Sequence, residues 1–269
     1  MKFSLSRAFI ICFSFCGAQG RAVEFVGHRG ASHDAPENTL ASFRLGWQQA
    51  DACELDIHLT KDGQVVVSHD AKTKRTTGVD HKIAESTLAE LRALDAGKWK
   101  GPQWAGEKLP TLAEVLALQP EHKRLFIEIK CGAEVLPELA RVLRAAGKQP
   151  GQVVLIGFKL ATMQEAKQLF PDLTVLWLAG LKKNMPPPRI ADLVAQARAA
   201  GLDGLDLDYR FPIDAAAVKL ATEAKLQFYV WTVDDPAVAQ KLVAAGVKGI
   251  TTNRPQWLRE QLDAAQPLR

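Results

Sequence analysis

Short apolar runs alternate with amphipathic segments along most of the chain, and this alternation is the strongest constraint on its fold. Strands that alternate with helices predict a parallel sheet covered by helices. With 269 residues the chain is long enough for an α/β barrel, which often takes about 250 residues as one domain. We therefore predict an irregular (β/α)8 barrel. The predicted strands are Glu24–Gly27, Ala52–His58, Val65–Ser68, Leu125–Ile129, Val153–Phe158, Thr174–Leu178, Gly204–Asp208, Gln227–Thr232 and Gly249–Thr252.

These nine runs exceed the eight places of such a barrel. The tight turn Thr60-Lys61-Asp62-Gly63-Gln64 predicts a hairpin, in which neighbouring strands are antiparallel. A regular parallel barrel has no antiparallel neighbours, so one run beside this turn, or the last run, must be peripheral. The sequence leaves that choice open.

Residues 71 to about 110 interrupt the alternation, with one predicted helix at Thr87–Leu94. Because this segment follows His69 at the end of a predicted strand, we predict a small insertion over the C-terminal mouth of the barrel.

The first 20 residues have the pattern of a secretory signal peptide. Lys2 and Arg7 precede the apolar run Ala8–Cys16, and the small residues Ala18 and Gly20 precede the predicted cleavage site. The run is too short to span a bilayer, which needs roughly 20 apolar residues. We predict a signal peptide at 1–20, a mature domain at 21–269, and export to the periplasm or the medium. A buried first strand or a frayed tail is the alternative.

Two cysteines, Cys53 and Cys131, belong to the predicted mature domain. Each is adjacent to a candidate site residue, so strand alternation directs its side chain away from the mouth. Two buried thiols are the favoured interpretation, and a disulfide between them stays open.

Titratable residues cluster where the predicted strands end, and in a barrel of this kind those ends meet at one mouth. Three carboxylates on two strands form an oxygen site suited to Mg²⁺ or Ca²⁺. Two histidines can act as an acid–base pair, and two cations can bind an anionic phosphate. The pattern indicates metal-assisted chemistry on a phosphate ester. These residues are His28, Arg29, Glu54, Asp56, His69, Glu128 and Lys130.

Seven short motifs resemble those of glycerophosphodiester phosphodiesterases in order and spacing. The resemblance extends from about Val23 to Pro255, and it implies a TIM barrel that hydrolyses a small glycerophosphodiester with one divalent cation. The motifs are His28-Arg29-Gly30, Pro36-Glu37-Asn38-Thr39, Glu54-x-Asp56, Lys61-Asp62-Gly63, His69-Asp70, Glu128-x-Lys130 and Trp231-Thr232-Val233.

The resemblance implies a role for each candidate residue. Glu54, Asp56 and Glu128 match the metal ligands, with Mg²⁺ and Ca²⁺ both possible. His28 and His69 match the catalytic pair, in which His69 protonates the departing alcohol.

Substrate binding is implied for Arg29 and Lys130 at the phosphate and for Trp231 at the glycerol. Each has an alternative role: the carboxylates could be ion-pair partners of Arg29 and Lys130, and Trp231 could be core.

Other residues near the predicted mouth have alternative roles. Glu37 could reach the pocket, and Asn38 or Thr39 could cap the first helix. His58 shares the strand face of the site but could only support it.

A second acidic strand end carries Asp203, Asp206 and Asp208, which we interpret as pocket rim, with Asp208 alone worth testing. The family usually has Thr-Asp where this chain has Thr252-Asn253. We expect that change to affect local supporting contacts and not the catalytic residues.

Composition narrows the possible partners. A net charge of +4, with no block of five like charges, does not indicate nucleic-acid binding. We expect a small-molecule substrate and no stable membrane insertion; oligomeric state is open. Alternative functions are a phospholipase D acting on lysophospholipids or sphingomyelin, and a barrel that binds glycerophosphodiesters without cleaving them.

Overall fold

The computed structural model describes residues 23–265, and its centre is a closed barrel of eight parallel strands. The ring closes because β1 pairs in parallel with both β2 and β9. The predicted (β/α)8 TIM barrel is therefore confirmed. The strands described are β1 (Glu24–Gly27), β2 (Ala52–Leu59), β3 (Val65–Val67), β4 (Arg124–Ile129), β5 (Val153–Gly157), β6 (Thr174–Ala179), β7 (Gly204–Asp208), β8 (Gln227–Trp231) and β9 (Gly249–Thr252).

The peripheral strand is β3, the run after the hairpin turn. It pairs antiparallel with β2, with Val66 opposite His58, and lies outside the ring. The backbone N–H of Thr60 donates to the Gln64 carbonyl at 2.9 Å, and Gly63 has a positive φ of 75°. Glycine adopts that backbone conformation without steric cost, which explains the tight turn.

The barrel strands alternate between an inner and an outer face. Val26, Phe126, Ile156, Leu178 and Tyr229 belong to the apolar cluster inside the barrel. The residues between them on each strand pack outward in a larger cluster shared with the helices. Side chains alternate between the two faces of a strand. The residue two positions after an inward apolar residue therefore also points into the barrel, one layer closer to the mouth.

Helices surround the barrel and follow most of its strands. The first begins at Leu40, where the Thr39 side chain accepts a hydrogen bond from Ser42 N and so acts as N-cap. The helices described are α1 (Leu40–Gln49), α2 (Lys74–Thr77), α3 (Leu88–Arg92), α4 (Leu112–Leu118), α5 (Leu136–Ala145), α6 (Leu160–Leu169), α7 (Ile190–Ala199), α8 (Ala215–Glu223), α9 (Pro236–Ala245) and α10 (Pro255–Ala264).

The segment from 71 to 110 forms a small unit beside β3. Its own core packs against Val66 and includes Ile83, Leu91 and Leu109. The helix expected at Thr87–Leu94 is α3, which is shorter at both ends. The segment also contains α2 and two 3₁₀ turns that the sequence did not predict, because these elements are too short to show periodicity.

Cys53 and Cys131 are both free thiols. Cys53 is fully buried in the outer apolar cluster, whereas Cys131 is only partly buried. The predicted signal peptide at 1–20 lies outside the described residues. Within residues 23–265 none of the helices has the length and apolar character needed to span a bilayer.

Candidate active site

The ends of β1, β2, β4 and β8 surround a pocket of about 120 Å³ at the C-terminal mouth of the barrel. Seven of the eight predicted site residues line it; the eighth, Asp56, is buried directly beside Arg29 and Lys130. The residues that line the pocket are His28, Arg29, Glu54, His69, Glu128, Lys130, Ile156, Phe158, Leu178, Asp206, Trp231, Thr232 and Thr251.

Three buried carboxylates meet on one side of this pocket. Glu54 and Asp56 share the inner face of β2, and Glu128 lies on the neighbouring β4, so one ligand oxygen from each lies within 4.8 Å of the others. Burial, then the charges of Asp56 and Glu128, raise the pKa of Glu54 well above its usual range. Burial, then the charge of Asp56, raise the pKa of Glu128 to about 7.

The carboxylate cluster fits a divalent cation. Among residues 23–265, Oδ1 of Asp56 is buried without a hydrogen-bond partner, and Nζ of Lys130 lies 3.5 Å from it. Clustered carboxylate oxygens suit Mg²⁺ or Ca²⁺ better than softer metals. Burying like charges together is unfavourable, and a bound cation would offset that cost.

Arg29 and Lys130 flank the carboxylate cluster. The backbone N–H of Arg29 donates to Oε2 of Glu54 at 2.9 Å, and its guanidinium Nε lies 3.4 Å from Asp56. Nζ of Lys130 lies 2.9 Å from Oε1 of Glu128. The carboxylates are thus ion-pair partners of Arg29 and Lys130, as the alternative interpretation expected. They also form the cluster expected of a metal site, so the two interpretations are compatible.

His28 is held by a residue 225 positions away in the chain. Its Nδ1 lies 2.7 Å from Oδ1 of Asn253, whose Nδ2 donates to Oδ2 of Asp234 at 2.6 Å. Oδ1 of Asn253 also accepts a hydrogen bond from the Ser32 hydroxyl. Asn253 is thus a supporting contact of His28, a predicted catalytic residue, because barrel closure brings β9 beside β1.

This hydrogen bond defines the protonation of the His28 ring. An amide oxygen only accepts, so Nδ1 of His28 carries the proton and Nε2 keeps its lone pair. Burial, with the charge of Arg29 adding to it, lowers the pKa of His28 to about 4. The ring is therefore neutral at physiological pH and able to accept a proton.

His69 has a different environment, near the edge of the mouth. Its Nδ1 lies 2.7 Å from Oδ1 of Asp70, and its backbone carbonyl lies 3.3 Å from Nε2 of His58. His58 does not line the pocket and contacts the backbone of His69 instead. Although burial acts to raise it, hydrogen bonds from Arg75 and His69 lower the pKa of Asp70 to about 2.

An ion-pair chain connects the inserted segment to both sides of the site. Arg75 donates to both carboxylate oxygens of Glu37, at 2.8 Å each, and to Oδ2 of Asp70 at 2.7 Å. Glu37 in turn accepts from Nη1 of Arg29 at 2.8 Å. The sequence did not indicate a role for Arg75, because a basic residue in a loop is usually only solvated.

Asn38 also supports the carboxylate cluster. Thr39, not Asn38, caps α1, and Asn38 instead donates from Nδ2 to Oδ2 of Asp56 at 2.8 Å. Its φ of 58° is in the left-handed region, which asparagine tolerates better than most residues.

The wall opposite the carboxylate cluster is largely apolar. Trp231 packs edge-on against Phe158, with 5.5 Å between ring centroids, and its Nε1 donates to the Asp206 carbonyl. Trp231 is thus a pocket residue held in place, as expected for a substrate contact.

The pocket-rim interpretation of the second acidic strand end agrees with the pocket lining for Asp206 alone. Asp206 is 1% exposed and lines the pocket, whereas Asp208 pairs with Arg210 and Asp203 with Lys167. Asp206 alternates with the outward Leu205 on β7, so strand phase places it on the inner face, but Asp208 shares that phase and the sequence does not separate the two. Burial, then the charge of Glu128, raise the pKa of Asp206 well above its usual range.

Comparison with known proteins gives consistent matches over nearly the whole chain. The glycerophosphoryl diester phosphodiesterase family matches residues 28–257. A glycerophosphodiester phosphodiesterase of Caldanaerobacter subterraneus subsp. tengcongensis is 34% identical over 240 residues, which cover 87% of this chain and 95% of that protein. A glycerophosphodiester phosphodiesterase of Bacillus subtilis is 33% identical over 250 residues, which cover 86% of this chain and 83% of that protein.

Solved structures show the same relationship. A phosphodiesterase from Oleispira antarctica, in complex with the product sn-glycerol-3-phosphate, superposes with a TM-score of 0.80 at 29% identity. That match covers 89% of this chain and 96% of the other. A glycerophosphodiester phosphodiesterase from Thermotoga maritima gives a TM-score of 0.74 at 27% identity, over 89% and 98% of the two chains.

Proposed function

This chain belongs to the glycerophosphoryl diester phosphodiesterase family, a family of phosphoric diester hydrolases, and from that premise we propose its reaction. It hydrolyses water-soluble glycerophosphodiesters, such as glycerophosphocholine or glycerophosphoethanolamine, to glycerol 3-phosphate and an alcohol. It does so with one divalent cation, Mg²⁺ or Ca²⁺. The observation that carries the proposal is the single pocket that contains a carboxylate cluster, two cations and two histidines in different environments.

The carboxylate side of the pocket binds the phosphate. A divalent cation held by Glu54, Asp56 and Glu128 would supply Lewis-acid stabilisation of the phosphoryl oxygens. Arg29 presents a planar set of N–H donors, of which Glu37 uses only part, and Lys130 contributes a point charge. These groups favour the transition state because negative charge develops on the phosphoryl oxygens there.

The two histidines handle the protons. Nε2 of His28 accepts the proton of the attacking oxygen, because Asn253 occupies the Nδ1 side of its ring. His69, oriented by Asp70, donates a proton to the oxygen of the departing alcohol as the phosphorus–oxygen bond breaks. Water enters and the free alcohol leaves, so the overall reaction is hydrolysis.

The attacking oxygen belongs either to water or to the glycerol hydroxyl next to the phosphate. In the second case a cyclic phosphate forms first and water then opens it. Rapid-quench analysis for the cyclic phosphate distinguishes these routes.

The test is release of glycerol 3-phosphate from glycerophosphocholine by the purified mature protein. We expect activity to disappear with EDTA, to return with added Mg²⁺ or Ca²⁺, and to fall by orders of magnitude in His69→Ala. His122→Ala is the matched control, because His122 is an exposed histidine just before β4, away from the mouth. Release only from acylated substrates would instead favour a phospholipase D, and tight binding without turnover would favour a binding barrel.

We propose that the protein is exported, on the strength of the charged and apolar pattern of residues 1–20. Cell fractionation with N-terminal sequencing tests this. A mature chain beginning at Arg21 outside the cytoplasm is the expected result, and an intact Met1 in the cytoplasm would contradict it.

A further inference from the structure

The side chain of Asp206 is a buried carboxyl group that faces the catalytic pocket without a partner. The residue is 1% exposed and lines the pocket. Its Oδ1 atom is fully buried and has no hydrogen-bond partner among residues 23–265. Buried polar groups are nearly always satisfied, so an unpaired oxygen facing a pocket needs an explanation.

The surrounding acids differ from Asp206 because each of them lies beside a cation. Asp56 and Glu128 lie against the cations Arg29 and Lys130. On the same strand as Asp206, Asp208 pairs with Arg210. No ion pair involves Asp206 in the described part of the chain, so the protein itself leaves its hydrogen-bonding capacity unused.

The position of Asp206 determines which part of a substrate it meets. In the closed ring β7 lies four strands from β2 in either direction, and is therefore diametrically opposite Glu54 and Asp56. Arg29 and Lys130 are on that far side too, at the ends of β1 and β4. A phosphate bound there directs the organic part of the substrate toward β7.

Most of the wall around Asp206 is apolar, although Thr232 and Thr251 also line the pocket. Ile156, Phe158, Leu178 and Trp231 line this part of the pocket. One unpartnered polar group in an apolar wall fits a small molecule with carbon–hydrogen faces and a hydroxyl at its far end.

We propose that Asp206 determines substrate specificity by hydrogen bonding the terminal hydroxyl of the glycerol moiety, the hydroxyl most distant from the phosphate. The hydroxyl adjacent to the phosphoester stays beside His28, while the terminal one reaches the opposite wall. This inference rests on the proposed function, because it takes the glycerophosphodiester as the substrate.

The experiment compares two substrates that differ in this hydroxyl alone. Glycerophosphocholine has it, and the phosphocholine ester of propane-1,2-diol lacks it but keeps the hydroxyl next to the phosphoester. Both are assayed for kcat/KM with the wild type, Asp206→Leu and Asp206→Asn. Asp206→Leu keeps the branched shape of the side chain but cannot hydrogen bond, whereas the amide of Asp206→Asn both donates and accepts.

We expect the wild type to prefer glycerophosphocholine. Asp206→Leu should lower kcat/KM for that substrate by roughly ten- to hundred-fold and leave the deoxy substrate nearly unchanged. Asp206→Asn should retain much of the preference. An equal loss on both substrates, as expected if Asp206 met the choline group or only supported the fold, would overturn the inference. So would no effect on either.

A binding measurement separates this inference from the proposed reaction. Calorimetric affinities for glycerol 3-phosphate and propane-1,2-diol 1-phosphate need no turnover. If the wild type cleaves neither diester, the proposed function fails. The inference then holds only if the wild type prefers glycerol 3-phosphate and Asp206→Leu loses that preference.

Discussion

Oδ1 of Asn253 lies 2.7 Å from Nδ1 of His28, and this contact joins the end of the last barrel strand to the end of the first. Asn253 is fixed in turn by Asp234, which accepts from both its backbone N–H and its side-chain amide. The pair therefore sets the orientation of the histidine that is proposed to act as base.

Removing the asparagine side chain should lower activity. We expect Asn253→Ala to reduce kcat by roughly ten- to hundred-fold, in line with other residues that orient a catalytic or metal-bound histidine. KM should change less, because Asn253 does not line the pocket. Ser32→Ala, which removes only the second donor to Oδ1, is the matched control and should cost much less. Equal effects of the two variants would contradict the orienting role.

Arg75 should contribute to activity more than to stability. It holds Glu37 and Asp70, which contact Arg29 and His69 respectively. Misplacing these groups in Arg75→Met should lower kcat/KM by roughly ten- to hundred-fold. Arg75 is 44% exposed, so the change in unfolding free energy should stay below about 1 kcal/mol.

The control for Arg75 is Arg141→Met, which breaks an exposed ion pair with Glu138 away from the mouth. It should leave kcat/KM unchanged. A similar loss of activity in both variants would show that the Arg75 effect is not specific to the site.

Metal affinity should depend on pH. In the metal-free protein burial raises the pKa of Glu128 to about 7, so below that pH the carboxyl is protonated and a cation must displace the proton. Affinity for Mg²⁺ or Ca²⁺ should fall by at least about tenfold per pH unit below about pH 7, and more steeply where Glu54, whose pKa is also raised, must lose a proton too. Calorimetric titration of EDTA-treated protein at several pH values measures this. A pH-independent affinity would contradict the involvement of Glu128.

The same shift has a consequence for stability. The pKa of Glu128 is higher in the folded protein than in the unfolded chain, so the folded state holds this proton more tightly. The free energy of unfolding therefore decreases as pH rises from about 4.5 to about 7. Added cation should therefore raise the thermal midpoint more at about pH 8 than at about pH 5.5. Glu128→Gln should reduce this difference.

Tyr229 should matter for stability and not for activity. Inside the barrel its hydroxyl donates to Oε2 of Glu24 at 2.7 Å and accepts from Nη1 of Arg124 at 3.0 Å. Glu24 and Arg124 begin β1 and β4, at the end of the barrel opposite the pocket. Tyr229→Phe should cost about 1–3 kcal/mol of unfolding free energy, measured with urea, because it leaves charged partners less satisfied. A fall in kcat at unchanged stability would contradict this assignment.

Much of the site could be predicted from the sequence because its information is local. Glu54 and Asp56 occupy alternate positions on one strand, and so do Glu128 and Lys130, so strand periodicity alone places each pair on one face. Their position at the end of an apolar run places that face at the barrel mouth. The same local signals predicted the barrel and limited the cap of the first helix to Asn38 or Thr39.

The remaining features depend on which strands become neighbours. The contact of His28 with Asn253 spans 225 positions and exists only because the ring closes between β1 and β9. Arg75 reaches Glu37 and Asp70 only through the folding of the inserted segment. Asp206 and Asp208 have the same strand phase, yet one lines the pocket and the other pairs with an arginine. Backbone periodicity fixes a side chain's face, whereas its partner is set by strand order, register and loop packing, which only the tertiary structure decides.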